Sequence, residues 1–93
     1  NQMAQEKFQA IANCTDEGVI LNVRKWQEVP AALRKRILRQ AYFLAGGKEL
    51  GYRHTEALDV LCLRKTSGKY LQLPQKMQAF YHRGSLTIKY CLK

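Results

Sequence analysis

The stretch WQEVPAALRKRILRQAYFLAGG, residues 26–47, decides the first long helix of this chain and the face on which that helix packs. Pro30 suits the first turn of a helix, where its missing N–H is no loss, and Gly46 and Gly47 suit the helix end. These signals predict a helix of about 15 residues. Its apolar side chains share one broad face, which consists of Leu33, Ile37, Leu38, Ala41, Leu44 and Ala45.

The opposite face of this helix carries Lys35, Arg36 and Arg39, which we expect to form one exposed patch. Such a patch either contacts the phosphates of a nucleic acid or only keeps the helix soluble. The sequence favours contact and leaves the solvated face as the alternative.

Arg34 differs from its neighbours because it falls within the apolar face, where an unpaired guanidinium is costly. We expect it either to extend its guanidinium to solvent or to pair with a carboxylate, the candidates being Glu56 and Asp59, which lie three residues apart. Ion pairing of this kind argues against general acid–base catalysis by the two carboxylates. The turn AGGKELG, residues 45–51, is too short and ill-spaced for a phosphate-binding loop.

A second helix is predicted over residues 52–64, before Ser67 and Gly68 interrupt the pattern. Its buried stripe consists of Ala57, Leu58, Leu61 and Cys62. His54 lies on the same stripe, and we expect a hydrogen-bonded core side chain there rather than a catalyst or a metal ligand.

The rest of the chain adds a short amphipathic helix over the first dozen residues and several strands. VILNV, residues 19–23, predicts a short strand or an extended bridge. KYLQLP, residues 69–74, predicts a strand, and residues 76–90 predict a hairpin around Arg83-Gly84-Ser85. The fold class is therefore α+β: a short N-terminal helix, a two-helix core and a small antiparallel C-terminal sheet with a hairpin, in a single domain over residues 1–93.

One face of the predicted hairpin mixes a single aromatic ring with polar and basic side chains. This face consists of Gln78, Phe80, His82, Thr87 and Lys89. Its composition is expected of a surface on which nucleobases stack, and a second packing layer explains it equally well.

The charge balance is strongly positive, with 16 Lys and Arg against 7 Asp and Glu and a net charge of +9. No acidic residue follows Asp59. A field of this sign attracts polyanions, with nucleic acid our first expectation and a solvated basic surface the second. An acidic membrane surface would attract it too, but the sequence contains neither an apolar run of membrane-spanning length nor a signal peptide.

The cysteines are odd in number and widely separated, at Cys14, Cys62 and Cys91. No short paired spacing indicates a disulfide scaffold or a zinc site, so we expect a reducing cytoplasm, no bound metal and no catalytic residue. The chain opens without Met in NQMAQEKFQAIA, from which we expect it to be an excised part of a longer protein.

A resemblance to a known family lies in the order of five segments between residues 26 and 90. WQEVPAALRKRILRQAYFLAGG, then ELGYRHTEALDVL, then SGKYLQLPQKMQAFYHRGSLTI resembles the domain that follows the catalytic domain in bacterial tRNA(Ile)-lysidine synthetases. That family runs an apolar-x-x-Leu-Pro segment, a Leu-Arg-rich helix, a Gly-bearing turn, a His-x-Glu-Ala-Leu-like helix, and a Leu-x-Leu-Pro strand leading into a hairpin. Here Val29 stands where the family has Leu before Pro30.

The resemblance implies a parent ligase that uses ATP and Mg²⁺ to join lysine to an anticodon cytidine of an isoleucine tRNA. The family's ATP site depends on a Ser-Gly-Gly-x-Asp-Ser loop that this chain lacks, so neither cofactor is expected in the fragment. The implied role is accessory: holding the tRNA for the catalytic domain of the same chain. The expected tRNA-binding residues are Lys35, Arg36, Arg39, Arg64, Lys65, Lys69, Lys76 and Arg83.

Three other readings compete with this one. Two helices followed by a hairpin are typical of a winged helix-turn-helix that binds DNA, although Glu56 and Asp59 in the second helix would repel phosphates. A structural or protein-interaction domain would use its apolar surface on a partner. A cysteine-dependent enzyme would need a thiol beside His54 or His82.

Overall fold

The computed structural model describes residues 8, 10–16 and 18–90, which form two helices over one face of an antiparallel sheet. The elements are β1 (Ala12–Thr15), β2 (Gly18–Asn22), a 3-10 turn (Trp26–Glu28), α1 (Ala31–Leu44), α2 (Tyr52–Arg64), β3 (Lys69–Leu73), β4 (Met77–His82) and β5 (Ser85–Tyr90). The α+β class and both long helices are confirmed, α2 with the predicted bounds. No helix in the described ranges is long and apolar enough to span a membrane.

The sheet is larger than the sequence indicated, because the N-terminal strands join the C-terminal ones. Its order is β1-β2-β5-β4-β3. Val19 lies opposite Ile88 and Leu21 opposite Leu86, so β2 continues the buried face of β5. The pattern of residues 19–23 predicted a strand correctly, but the partner of that strand is set by burial of both apolar faces together.

The predicted N-terminal helix falls largely outside the described residues. Phe8, Ala10 and Ile11 are helical, and Phe8 is buried in the core. Ala12, which was expected to belong to that helix, is instead the first residue of β1 and pairs with Leu21. Edge pairing to β2 therefore outweighs the helical spacing at this position.

The core lies between the helices and the inner face of the sheet. α1 buries Ile37, Leu38, Ala41 and Tyr42, and α2 buries Leu58, Leu61 and Cys62. Leu44, which was expected on the buried face, is 50% exposed. Tyr42 is buried instead, because its hydroxyl donates to the Pro74 carbonyl oxygen at 2.8 Å and so secures the end of α1 to the turn after β3.

Two glycines allow close backbone approaches. Gly18 has φ +152°, and a Cβ there would overlap the carbonyl oxygen of Ile88 across the β2–β5 pair. A Cβ at Gly47 would overlap the ring of Tyr42. Both positions exclude a side chain because the neighbouring strand or ring already fills the space.

A buried carboxylate joins three elements. Asp59 on α2 accepts hydrogen bonds from the indole N–H of Trp26, at 2.8 Å, and from Nε and Nη2 of Arg34, at 2.8 and 3.1 Å. The third nitrogen of the guanidinium, Nη1, donates to the Val29 carbonyl oxygen at 2.8 Å. The predicted pairing of Arg34 is thus confirmed, and Asp59 rather than Glu56 is its partner. The hydrogen bond to Asp59 raises the pKa of Arg34.

Candidate nucleic-acid interface

One end of the sheet collects cations from three separate parts of the chain. α2 ends at Arg64, followed by Lys65, and Lys69 begins β3 directly after a short loop. The turn that carries Arg83 contacts this loop, because the backbone N–H of Arg83 donates a hydrogen bond to Ser67 Oγ at 3.1 Å. We call Arg64, Lys65, Lys69 and Arg83 the basic end. All four side chains are exposed, so four of the predicted tRNA-binding residues are neighbours in space.

Arg24 also lies at the basic end, although it is not among the residues that the sequence predicted to bind tRNA. The Val23 N–H donates to the Gly84 carbonyl oxygen at 2.9 Å, and the Arg24 side chain lies against Gly84, next to Arg83. Arg24 and Lys25 follow β2 in sequence, far from the acid-free C-terminal run that drew the other assignments. Two adjacent cations directly after a predicted strand could have suggested a contact residue at Arg24. Only the β2–β5 pairing shows that Arg24 lies beside Arg83.

The structure separates the remaining predicted cations from the basic end. Arg36 and Arg39 are exposed on the outer side of α1, as expected. Lys76 lies in the turn between β3 and β4, at the other end of the sheet. β4 spans that distance, roughly 17 Å at the usual rise per residue. The predicted set is therefore spread over three areas of the surface.

Lys35 is not part of a freely exposed patch with Arg36 and Arg39. Its ammonium lies 3.2 Å from Glu56 and 5.5 Å from the centroid of the Tyr52 ring. The Tyr52 hydroxyl donates to the same carboxylate at 2.9 Å. These contacts lower the pKa of Glu56: the Tyr52 hydrogen bond is the largest single cause, and Lys35 adds a hydrogen bond and its charge. The expectation that Lys35, Arg36 and Arg39 form one exposed patch is therefore wrong for Lys35. The partner of Lys35, Glu56, lies on α2, and the helical spacing of α1 alone cannot show it.

The sheet face turned away from the helices carries a row of aromatic rings. Tyr70 lies directly opposite Phe80 across the β3–β4 pair, with ring centroids 4.4 Å apart. His82 follows two residues later on β4, with its ring 5.8 Å from Phe80 and tilted by only 12°. We call these three side chains the aromatic row. It ends beside the turn that carries Arg83, because His82 directly precedes Arg83. Lys69, although it precedes Tyr70 in sequence, lies on the opposite face of β3.

The strands around the aromatic row present polar side chains and no carboxylate. None of the five strands contains Asp or Glu. Beside the rings, the outer face presents Gln72, Gln78, Thr87 and Lys89. The electrostatic field at this face is therefore set by cations, which favours an anionic or electron-rich ligand.

The titratable groups elsewhere offer little for catalysis. Burial raises the pKa of the Cys62 thiol to about 12, so it stays protonated at neutral pH and is a poor nucleophile. In the described ranges, no three His, Cys, Asp or Glu side chains are grouped so that they could hold a metal ion. His54 is half-buried on α2, and its predicted structural role remains a prediction.

Fold and surface together define the class of this chain: a small, basic α+β domain with a cluster of cations at one end of the sheet and aromatic rings on its outer face. A family model described as the TilS substrate binding domain matches residues 21–87, and the chain belongs to this family. The resemblance noted from the sequence is thereby confirmed.

A curated relative extends the match to nearly the whole chain. The tRNA(Ile)-lysidine synthase of Clostridium acetobutylicum is 25% identical over 89 residues, which are 95% of this chain and 19% of that protein. The chain thus spans less than a fifth of the length of that relative.

Proposed function

We propose that this chain is the tRNA-contacting accessory domain of a cytoplasmic tRNA(Ile)-lysidine synthase. In this role it holds an isoleucine tRNA so that the anticodon cytidine reaches a catalytic domain of the same protein, where lysine is joined to it at the expense of ATP. The family membership and the name of the relative, a tRNA(Ile)-lysidine synthase, support tRNA as the substrate. The surface described above supports the mode of contact.

The basic end is the observation that carries the proposal. Arg64, Lys65, Lys69 and Arg83 converge from a helix end, a strand start and a hairpin turn. In the described part of the chain the ion pairs are Arg34–Asp59 and Lys35–Glu56, so no carboxylate neutralises this cluster. Cations of this kind contact phosphates, release counterions and provide affinity that depends on salt more than on base identity.

The other predicted cations are expected to contribute to tRNA affinity to different extents. Arg36 and Arg39 form a second contact area on α1, and Lys76 a third at the far end of the sheet. Lys35 contributes less, because Glu56 already offsets its charge. RNA that reaches more than one area must follow the curvature of the domain, which favours a folded tRNA over a straight duplex.

The proposal assigns no ATP or Mg²⁺ site to this domain. The carboxylates on α2 are both committed to cations, Asp59 to Arg34 and Glu56 to Lys35. The glycine-containing turn after α1 is closed by Tyr42, whose ring occupies the space above Gly47. No step of the ligation is therefore assigned to this domain; its part is to bind and orient the RNA.

A DNA-reading helix is poorly supported by the same geometry. α2 would be the recognition helix of a winged helix-turn-helix, but it buries Thr55, Leu58, Asp59 and Cys62 against the core. Its outward side includes Val60 and Leu63, 42% and 37% exposed, which do not donate hydrogen bonds to bases.

The test is a salt titration of binding to unmodified isoleucine tRNA, with a different tRNA and a DNA duplex as controls. The Arg64→Glu/Lys69→Glu variant should weaken tRNA binding by at least about tenfold near 0.1 M salt and flatten the dependence of affinity on salt. The matched control is Lys48→Glu/Arg53→Glu, which makes the same charge change at exposed positions outside the basic end.

Folding is checked for each variant by its urea unfolding midpoint. Equal losses of tRNA affinity in the two variants would show that only the net charge of the domain matters, and would contradict the assignment of the contact to the basic end. Unchanged affinity in a folded Arg64→Glu/Lys69→Glu variant would refute it. Tighter binding to the DNA duplex than to tRNA would restore the DNA-binding alternative.

A further inference from the structure

We infer that the aromatic row of Tyr70, Phe80 and His82 is a stacking surface for unpaired nucleobases of an RNA strand whose phosphates lie at the basic end. The inference rests on the proposed function and deepens it. It assigns the outer sheet face to single-stranded or looped RNA, whereas the cations alone would accept any polyanion.

The first argument is the arrangement of the rings. Tyr70 and Phe80 face each other across the β3–β4 pair, 4.4 Å apart, and His82 follows Phe80 along β4, 5.8 Å away. The outer two members are open to solvent: Tyr70 is 56% exposed and His82 is also exposed. A base that stacks on either ring extends a row that the protein has already ordered, so little additional conformational entropy is lost.

The second argument is the chemistry around the rings. Gln72 and Gln78 lie opposite each other in the neighbouring row, and Lys89 continues that row on β5. Amide groups can donate to and accept from the exposed edges of an unpaired base, and the ammonium can meet a phosphate. Sheets that bind single-stranded RNA combine these same features: aromatic rings, amides and cations on an open face.

The third argument is continuity with the basic end. Lys69 immediately precedes Tyr70, and Arg83 immediately follows His82. Arg83 therefore lies at the His82 end of the row, whereas Lys69 pairs with the buried Tyr81 and starts on the helix side of the edge strand β3. A strand whose phosphate meets Arg83 would have its next bases at the His82 end of the row.

A second packing layer is the competing explanation for these rings, and the polar neighbours argue against it. A protein surface placed over the row would also cover Gln72, Gln78 and Lys89, and would need to satisfy each of their polar groups. Among the described residues, the outer face adds few apolar side chains to the rings, such as Ile20, to offset that cost. RNA can satisfy the same groups with base edges and phosphates.

The experiment uses the whole chain and two RNA probes. One is a single-stranded octamer that contains a single 2-aminopurine, whose fluorescence is quenched by stacking; the other is a blunt RNA duplex of the same length. The unaltered protein should quench the octamer and bind it more tightly than the duplex. Tyr70→Leu and His82→Leu should each weaken binding of the octamer by about tenfold and reduce the quenching.

Conservative and distant variants control for folding. Tyr70→Phe keeps the ring and should keep both affinity and quenching. Tyr90→Ala removes a tyrosine of comparable exposure, 43%, at the opposite end of β5, and should change neither. Urea midpoints of all variants establish that the sheet is intact.

Two outcomes would overturn the inference while leaving the proposed function standing. One is binding of the octamer without quenching and with no effect of Tyr70→Leu or His82→Leu, while the basic-end variant still loses tRNA. The other is a loss of self-association in the leucine variants with unchanged RNA affinity, which would assign the rings to protein packing. If neither the basic-end variant nor the leucine variants lose tRNA binding, the proposed function itself is refuted.

Discussion

The carboxylate of Asp59 binds the guanidinium of Arg34 through two hydrogen bonds, of 2.8 and 3.1 Å, while both side chains are largely withdrawn from solvent. The same carboxylate accepts the Trp26 indole N–H, so one buried charge links the 3-10 turn to both helices. Removing either ion leaves the other buried and unpaired, which costs more than the pair itself contributes.

We therefore expect Asp59→Ala to lower the free energy of unfolding by about 3 kcal/mol, and Arg34→Met to do so by a similar amount. Urea denaturation followed by Trp26 fluorescence measures both. Lys35→Met is the matched control, because its partner Glu56 is solvent-exposed and screening weakens such pairs. Equal losses in the buried and exposed pairs would contradict the role of burial.

Replacement of Gly18 by Ala should destabilise the sheet. The new Cβ would overlap the carbonyl oxygen of Ile88 at a backbone φ of +152°, so β2 and β5 must separate or the backbone must change conformation. We expect a loss of roughly 2–3 kcal/mol in unfolding free energy. Gly51→Ala, at a position with open space, should cost less than about 1 kcal/mol. A tolerated Gly18→Ala would show that the two strands are farther apart than described.

The Cys62 thiol should react only when the domain unfolds. Burial raises its pKa from 9.0 to about 12, so the folded state holds the proton more tightly than the unfolded state. The stability that this provides is present below pH 9 and is lost as pH rises toward 12.

A Cys14→Ser/Cys91→Ser variant isolates Cys62 for the measurement. At pH 8 its labelling by iodoacetamide should follow the rate of unfolding and become fast in denaturing urea. A Cys62→Ser/Cys91→Ser variant retains the exposed Cys14 and should label at once. Rapid labelling of Cys62 in the folded protein would contradict its burial.

Glu56 should titrate below its usual range, because it accepts a hydrogen bond from Tyr52 and pairs with Lys35. The Tyr52 hydrogen bond is the largest single cause of the lowered pKa, and Lys35 lowers it through both a hydrogen bond and its charge. The contribution of this carboxyl to stability is present above the ordinary pKa of 4.5 and is lost as pH falls through the lowered folded-state value. Carbon NMR of the side-chain carboxyl should show an upward shift of the pKa in both Tyr52→Phe and Lys35→Met. An unchanged titration in either variant would contradict the contact that the variant removes.

The sequence predicted the helices better than it predicted the charged surface. Pro30 and the apolar spacing located α1, and the place of Arg34 on the apolar face indicated a carboxylate partner, Glu56 or Asp59, without deciding between them. Local spacing could not show that Glu56 lies beneath Lys35, or that Arg24 lies beside Gly84. Those contacts depend on how α1 packs against α2 and how β2 pairs with β5. The sequence of one segment does not show which other segment it will contact.

The sequence by itself determined the α+β class, the bounds of α2, the strands of the C-terminal hairpin and the acid-free basic half. Each of these depends on neighbours a few residues away, through helical or strand periodicity and turn chemistry. Only the tertiary structure decided that Arg64, Lys69 and Arg83 share one end, that Lys76 does not, and that Tyr70 faces Phe80. Strand pairing and helix packing bury distant apolar faces against one another, so the exposed side chains take positions that the burial of the opposite faces selects.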